Sequence, residues 1–207
     1  MADPTLQTKR VKTFAPAGQS TQLIVGADDA NDTTILMGSQ RLYSGYKLKR
    51  VYYSAFSPIP DASHVLPLIK PPLMREHRLY QADWLLRFYG FSVDEIASGT
   101  DGGMLDLAID PKLAWALRQR GSFPVDVNRA DQAMLLRVPG LGAKVVGRIL
   151  RARRFKALGF ADLLRMGARM KNAKPFLVTS DWRPLELSDR DDLRSMFAPK
   201  AEQLSLL

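Results

Sequence analysis

The chain has 207 residues, 46% of them apolar, a net charge of +9 and no cysteine. That length supports a sizeable core in one large domain or two small ones. Without cysteine this polypeptide forms no disulfide, Cys-ligated zinc site, cysteine nucleophile or thiolate-held iron–sulfur cluster; without a run of about eighteen apolar residues, no membrane span is expected.

Residues 1–13 read as a loose basic leader lacking the apolar core of a signal sequence, so a cytoplasmic location is the default expectation. Residues 21–26 form a short apolar run ending in Gly26. Residues 32–46 predict a helix with Ile35, Leu36, Leu42 and Tyr43 on one side, capped by Asn31 or Asp32. Residues 51–56 are β-branched and aromatic and stop before Pro58 and Pro60. Two buried strands around a helix predict a parallel βαβ unit. Five prolines make 57–72 an irregular connection. Residues 73–89 then predict a helix with Leu73, Tyr80, Trp84, Leu85 and Phe88 near one face and Gly90 at its end. Glu76 and Asp83 on that helix read as an exposed carboxylate pair.

The polar loop 98–103 is too short and too acidic for a phosphate loop. After it, 111–120 and most of 129–173 are helical in pattern. The expected fold is therefore α+β and mostly α. The expected plan is a leader (1–13), a βαβ unit plus helix (14–97), a linker (98–110), a helical domain (111–178) and a tail (179–207). A short helix is possible at 188–197.

Charge is unevenly placed. Residues 112–175 hold fifteen Lys/Arg and three acids. The excess of positive charge lies in that stretch, which suits a polyanion such as a phosphate backbone. A merely solvated basic surface is the alternative. At its centre stands Val138-Pro139-Gly140-Leu141-Gly142-Ala143-Lys144. Asn128 or Asp131 can cap a first helix, which stops before Pro139. A second helix begins near Ala143. Its free N–H groups and dipole make an anion site, and Lys144 reaches the same phosphate. Leu141 plugs the space between the helices. Arg148 and Arg151 continue along the second helix, while Val145, Ile149 and Leu150 pack. An ordinary helix–turn–helix corner is the other reading of these glycines.

The stretch from Val127 through Leu135-Leu-Arg-Val-Pro-Gly-Leu-Gly-Ala-Lys144 to Ile149 resembles the helix-hairpin-helix family of non-sequence-specific DNA-binding motifs. Residues 155–164 look like the helix that follows in such domains. The resemblance assigns DNA contacts to Val138, Gly140, Leu141, Gly142, Ala143, Lys144, Arg148 and Arg151.

A wider resemblance rests on Phe14-Ala-Pro-Ala-Gly-Gln-Ser-Thr-Gln-Leu-Ile-Val-Gly-Ala27, Arg50-Val-Tyr-Tyr-Ser-Ala-Phe-Ser-Pro-Ile-Pro60, the run 72–90 and Asp110-Pro-Lys-Leu-Ala-Trp-Ala-Leu117. With the hairpin, these look like the C-terminal half of a bacterial family of DNA modification/repair radical S-adenosylmethionine proteins, encoded beside a uracil-DNA-glycosylase-like protein. The resemblance implies that 14–60 is a remnant of a partial (βα) barrel. It places Gln22, Ile24, Gly26, Tyr52, Ser54 and Phe56 near an S-adenosylmethionine site. It also implies a nucleoid-associated location. The family holds a 4Fe-4S cluster with a three-cysteine motif; this chain has no Cys, so S-adenosylmethionine and the cluster are implied for the full-length family alone. No cofactor is assigned to this chain, and catalysis by it alone is not expected.

The end Gln203-Leu204-Ser205-Leu206-Leu207 is similar to the pentapeptide that docks bacterial repair proteins on the sliding clamp. An amphipathic tail packing on its own domain is the other reading. His64 and His77 have no partners at metal spacing, and no metal ligand or catalytic residue is assigned. Three functions remain open: a DNA-binding protein of repair or modification type, part of a radical S-adenosylmethionine enzyme acting on nucleic acid, and a repair adaptor on the clamp.

Overall fold

The computed structural model describes residues 15–59, 65–184 and 192–198. Among them the fold is α+β and mostly helical, with eight α-helices and two small parallel sheets of two strands each. None of these helices is long and apolar enough to cross a membrane.

Strand β1 (Ser20–Val25) runs parallel to β2 (Arg50–Ala55), with Gln22 opposite Tyr52 and Ile24 opposite Ser54. A parallel pair needs a crossover, and helix α1 (Asp32–Tyr46) supplies it. Asn31 is the cap: its side chain accepts the Thr34 N–H at 2.9 Å. The strand period of two buries Val25, Val51 and Tyr53 and leaves Gln22, Ile24 and Tyr52 on the outer face.

Helix α2 (Leu73–Phe88) packs on α1 and β2. Its buried residues are Arg75, Arg78, Leu79, Ala82, Asp83 and Leu85. The face expected from the sequence is split: Leu85 is buried and Tyr80 half-buried against the core, but its other members turn outward. Leu73, Trp84 and Phe88 are 57%, 54% and 52% exposed. A polar network explains the rotation. Arg75 Nε donates to the buried Asp32 carboxylate at 2.6 Å. Asp83 accepts from the Tyr43 hydroxyl at 2.5 Å and the Tyr53 hydroxyl at 3.3 Å, and pairs with Arg87. Glu76 accepts the Ala55 N–H at 2.9 Å. The expected exposed pair of Glu76 and Asp83 is thus corrected: Asp83 is buried and Glu76 is tied to a strand. Burial and the bond to Asp83 push the Tyr43 hydroxyl up to about 12. Burial raises the Tyr53 hydroxyl further still.

Helix α3 (Val93–Ala97) starts in a capping box of Ser92 and Glu95. Residues 102–105 lie against the start of α1. Asn31 Nδ2 and the Thr33 hydroxyl donate to the carbonyls of Gly102 and Gly103, and the Leu105 N–H donates to Asp32 at 2.9 Å. Leu105 and Ile109 are buried. Helix α4 (Pro111–Arg118) follows, capped by Asp110. Strands β3 (Val125–Asp126) and β4 (Leu177–Val178) pair in parallel. Between them come α5 (Gln132–Arg137), α6 (Ala143–Ala152), α7 (Phe160–Arg165) and α8 (Met170–Ala173). One apolar cluster joins Leu36 and Leu79 to Trp115, Leu135, Ile149 and Leu163.

The helix expected over 155–164 begins only at Phe160. Gly159 is its cap and Asp162 accepts the Gly159 N–H. The leader lies outside the described residues, and so does the start of the helix expected at 188–197. Residues 192–197 are turn.

Candidate nucleic-acid interface

Helix α5 is capped by Asp131, whose carboxylate accepts the Met134 N–H at 2.7 Å. It stops before Pro139, which cannot donate to the helix and disfavours helical geometry at Val138. Gly140 then takes φ +81°, and a Cβ there would stand 2.5 Å from the Arg169 carbonyl oxygen. No other residue type fits without moving that backbone. The Gly140 carbonyl also accepts the Arg169 N–H at 3.0 Å. The Leu141 N–H closes the turn on the Val138 carbonyl at 3.2 Å.

Gly142 caps α6 with ordinary extended backbone, φ −86° and ψ 161°. A Cβ there would meet only the Tyr89 hydroxyl, at 3.7 Å. This cap has no side chain, and among the described residues nothing stands in for it as Asp181 does at the glycine cap of α7, where its carboxylate accepts the Phe160 N–H at 2.7 Å. Asp131 satisfies its own helix start; Gly142 cannot. The first N–H groups of a helix have no partner within it. Among the described residues, the N–H groups of Ala143 and Lys144 have no acceptor, and both residues are exposed. Lys144, Arg148 and Arg151, spaced four and three apart, form one exposed stripe. Val145, Val146 and Ile149 are buried on the opposite side. Arg148 Nη1 donates to the Met166 carbonyl at 2.8 Å, which steadies the stripe.

The basic segment divides in two. Arg137 pairs with Glu95 at 2.7 Å. Arg118 donates to the carbonyls of Glu95 and Ile96, and Arg153 to those of Val127 and Ala130. These guanidiniums knit the fold together. The exposed cations of α6 have no such duty, apart from the Arg148 contact.

The residues expected to touch DNA have different positions. Val138 and Leu141 are 0% and 1% exposed, so their side chains hold the turn from inside. Gly140 shapes it. Gly142, Ala143, Lys144, Arg148 and Arg151 reach the surface. The second expected set lies elsewhere. Gln22, Ile24, Tyr52 and Ser54 share the outer face of β1 and β2, where Gln22 Nε2 donates to the Ser54 hydroxyl at 2.6 Å. Phe56 is buried, and Gly26, at φ +79°, faces Pro71. The six do not form one exposed surface. Gln203, Leu204, Leu206 and Leu207 lie outside the described residues.

Sequence reasoning missed a cleft of about 680 Å³ between α2, the start of α4 and the 138–142 turn. Lys112 lies in its wall, 8% exposed. Its Nζ donates to the Leu141 carbonyl at 2.7 Å and stands 4.8 Å from the centre of the Tyr89 ring. Burial pushes its ammonium down to about 7, and the nearby Asp110 charge opposes the shift. The available signal was a lysine inside the otherwise apolar run Pro111-Lys-Leu-Ala-Trp-Ala116.

Among the described residues, no three His, Asp or Glu side chains gather as a metal site. No protein-family model, curated protein or solved structure matches the chain.

Proposed function

We propose that this protein binds DNA without sequence preference, in repair or modification, through a helix-hairpin-helix made of α5, the 138–142 turn and α6. The carrying observation is the side-chain-free cap at Gly142, with two exposed amides and an aligned stripe of three cations. A phosphate oxygen accepts from the Ala143 and Lys144 N–H groups, where the helix dipole adds positive potential. The Lys144 ammonium neutralises the same phosphate, and Arg148 and Arg151 meet the next ones along the strand. Such contacts position a duplex but read no bases.

Fluorescence anisotropy with unrelated duplexes tests this. Affinities should agree within about tenfold, and log K should fall with log salt at a slope of about −3, as expected for three to four neutralised phosphates. Lys144→Glu should weaken binding to every duplex. A hundredfold spread between sequences, or undiminished binding by the variant, overturns the reading. Gly140→Asp is a poor probe, because a side chain there collides with the Arg169 backbone.

A second reading has support in the parallel β1–α1–β2 unit and its outward polar face at Gln22 and Ser54. These fit a remnant of the (βα) barrel of a radical S-adenosylmethionine protein. The thiolate ligands of a 4Fe-4S cluster do not fit, since the chain has no Cys. The hairpin would then be the DNA-docking end of an enzyme acting on nucleic acid, alongside a uracil-DNA-glycosylase-like protein. Calorimetry with S-adenosylmethionine decides; no heat at millimolar ligand retires the reading for this chain. The clamp-docking role proposed for residues 203–207 is tested by deleting them and measuring retention on the sliding clamp.

A further inference from the structure

The cleft beside the hairpin has the chemistry of a nucleotide site. Three observations point the same way. Its volume, about 680 Å³, lies inside the range of small-molecule pockets, roughly 300–1,000 Å³. Trp84 lines it while remaining 54% exposed, so a large aromatic surface stands open to a flat partner. Tyr89 lines it nearby, held by Lys112 at its ring. Its polar side chains include two amides, Gln81 and Asn172, and the cation Arg50. Gln81 Oε1 already accepts from Arg78 Nη1 at 2.8 Å, so Gln81 turns its NH2 donors to a base edge, while the Asn172 amide offers both a donor and an acceptor. The third observation is position. Gly140, Leu141 and Gly142 form one wall, so the turn that would hold a phosphate also borders the cleft.

We propose that the cleft receives the base of an unpaired nucleotide from the strand whose phosphate is held at the start of α6. The base stacks on Trp84, Gln81 and Asn172 meet its edge, and the adjoining phosphate stays at the Ala143 and Lys144 amides. This rests on the DNA-binding reading above. It adds a preference for DNA carrying an unstacked base. Extracting a base from a duplex costs unstacking energy, least where the base is already unpaired. Base–aromatic stacking tolerates any base identity, because every base has a flat face. The site therefore selects the unpaired state and not a sequence.

The test uses the full chain and two duplexes of one sequence, fully paired or carrying a single-nucleotide bulge of 2-aminopurine. Wild type should bind the bulged duplex about tenfold tighter and quench its fluorescence, in line with stacking contributions measured by alanine substitution. Trp84→Ala should bring the bulged affinity down to the paired value and leave the paired affinity within about twofold. Trp84 is mostly exposed, so its replacement spares the core. Gln81→Ala, also at an exposed position, should weaken only the bulged complex. Equal wild-type affinity for the two duplexes overturns this inference and leaves DNA binding standing. Failure of wild type to bind even the paired duplex at low salt overturns both. If a free deoxynucleoside monophosphate at millimolar concentration erases the preference for the bulge, the cleft serves free nucleotides and the strand-linked proposal falls.

Discussion

Helices α2 and α6 both carry several arginines, yet they use them in opposite ways. On α2, Arg75 and Arg87 turn toward acids, and Asp32 and Asp83 lie beneath them almost without solvent. Tyr43 and Tyr53 complete the group around Asp83. On α6, Arg148 and Arg151 face water, and the helix's buried side is aliphatic. Charge count alone does not separate these cases. Between these two helices the separating feature is whether a buried acid falls within reach, Asp32 for Arg75 and Asp83 of α2 itself for Arg87. On α2 such an acid draws the cation into the core; on α6 no acid among the described residues is in reach, and Arg151 is available to an outside anion.

The largest expected effect tests the inward half of this contrast. Asp32→Ala leaves Arg75 without its carboxylate partner, with only the Ala30 carbonyl remaining, and the Leu105 N–H without its acceptor. Removing one member of a buried pair costs about 3–5 kcal/mol, and urea unfolding should show a loss of that size. Arg151→Ala should stay within about 0.5 kcal/mol of wild type. Similar losses in the two variants would erase the distinction.

Lys112 is the intermediate case, a cation of the basic segment turned inward against a carbonyl and a ring, with the Asp110 charge nearby. Its folded-state value is about 7 against an ordinary 10.5. Between those values the unfolded chain keeps a proton that the folded chain has released. Stability therefore rises with pH above 7 and gains nothing from this group below it. From neutrality to pH 9.5 the gain is on the order of 3 kcal/mol. Lys112→Met should remove it, as the difference between two unfolding series would show. Parallel series would mean that Lys112 is charged in the fold.

Gly142→Asp tests the outward half with two readouts of opposite sign. The new carboxylate caps α6 and should raise stability by a few tenths of a kcal/mol, about 0.3. It also occupies the amides and repels phosphate, so DNA affinity should fall at least tenfold, roughly the weight of one charge-assisted contact. Affinity that rises or holds would remove the amides from the interface. The smallest effect belongs to Arg151→Ala, which should reduce the salt slope by about 1 with a severalfold loss of affinity. An unchanged slope would detach the stripe from the DNA.

Much of this arrangement was legible beforehand where local chemistry decides it. Asn31 and Asp131 mark helix starts, Pro139 marks a stop, and two strand-like runs around a helix foretell the parallel pair of β1 and β2, though both strands were expected to be buried and one face is outward. The orientation of α2 was not legible. Its aromatic residues outrank its charges on any hydrophobic scale, and partners forty or more residues away, Asp32 and Tyr43, turn the charges inward. The cleft was hidden for the same reason. Trp84 was expected on the packed face of α2 and is exposed, while Lys112, counted only as one charge of the basic stretch, is buried in the cleft wall. In the hairpin, the glycines were recognised but their duties were not separable by type. Gly140 answers to the Arg169 backbone; Gly142 answers to whatever approaches from outside.

The clamp between Gly140 and the Arg169 backbone has a consequence for recognition kinetics. The turn is tied by a hydrogen bond and a steric contact to the segment that opens α8, so its shape is set when the protein folds. The loop entropy is then lost in folding and not again at the encounter, which is the advantage of preorganisation. A rigid donor pair on a basic surface needs no rearrangement to accept a phosphate. On the proposed DNA-binding reading, association would be governed by diffusion and charge, and one phosphate would be exchanged for the next along a strand without reshaping the turn.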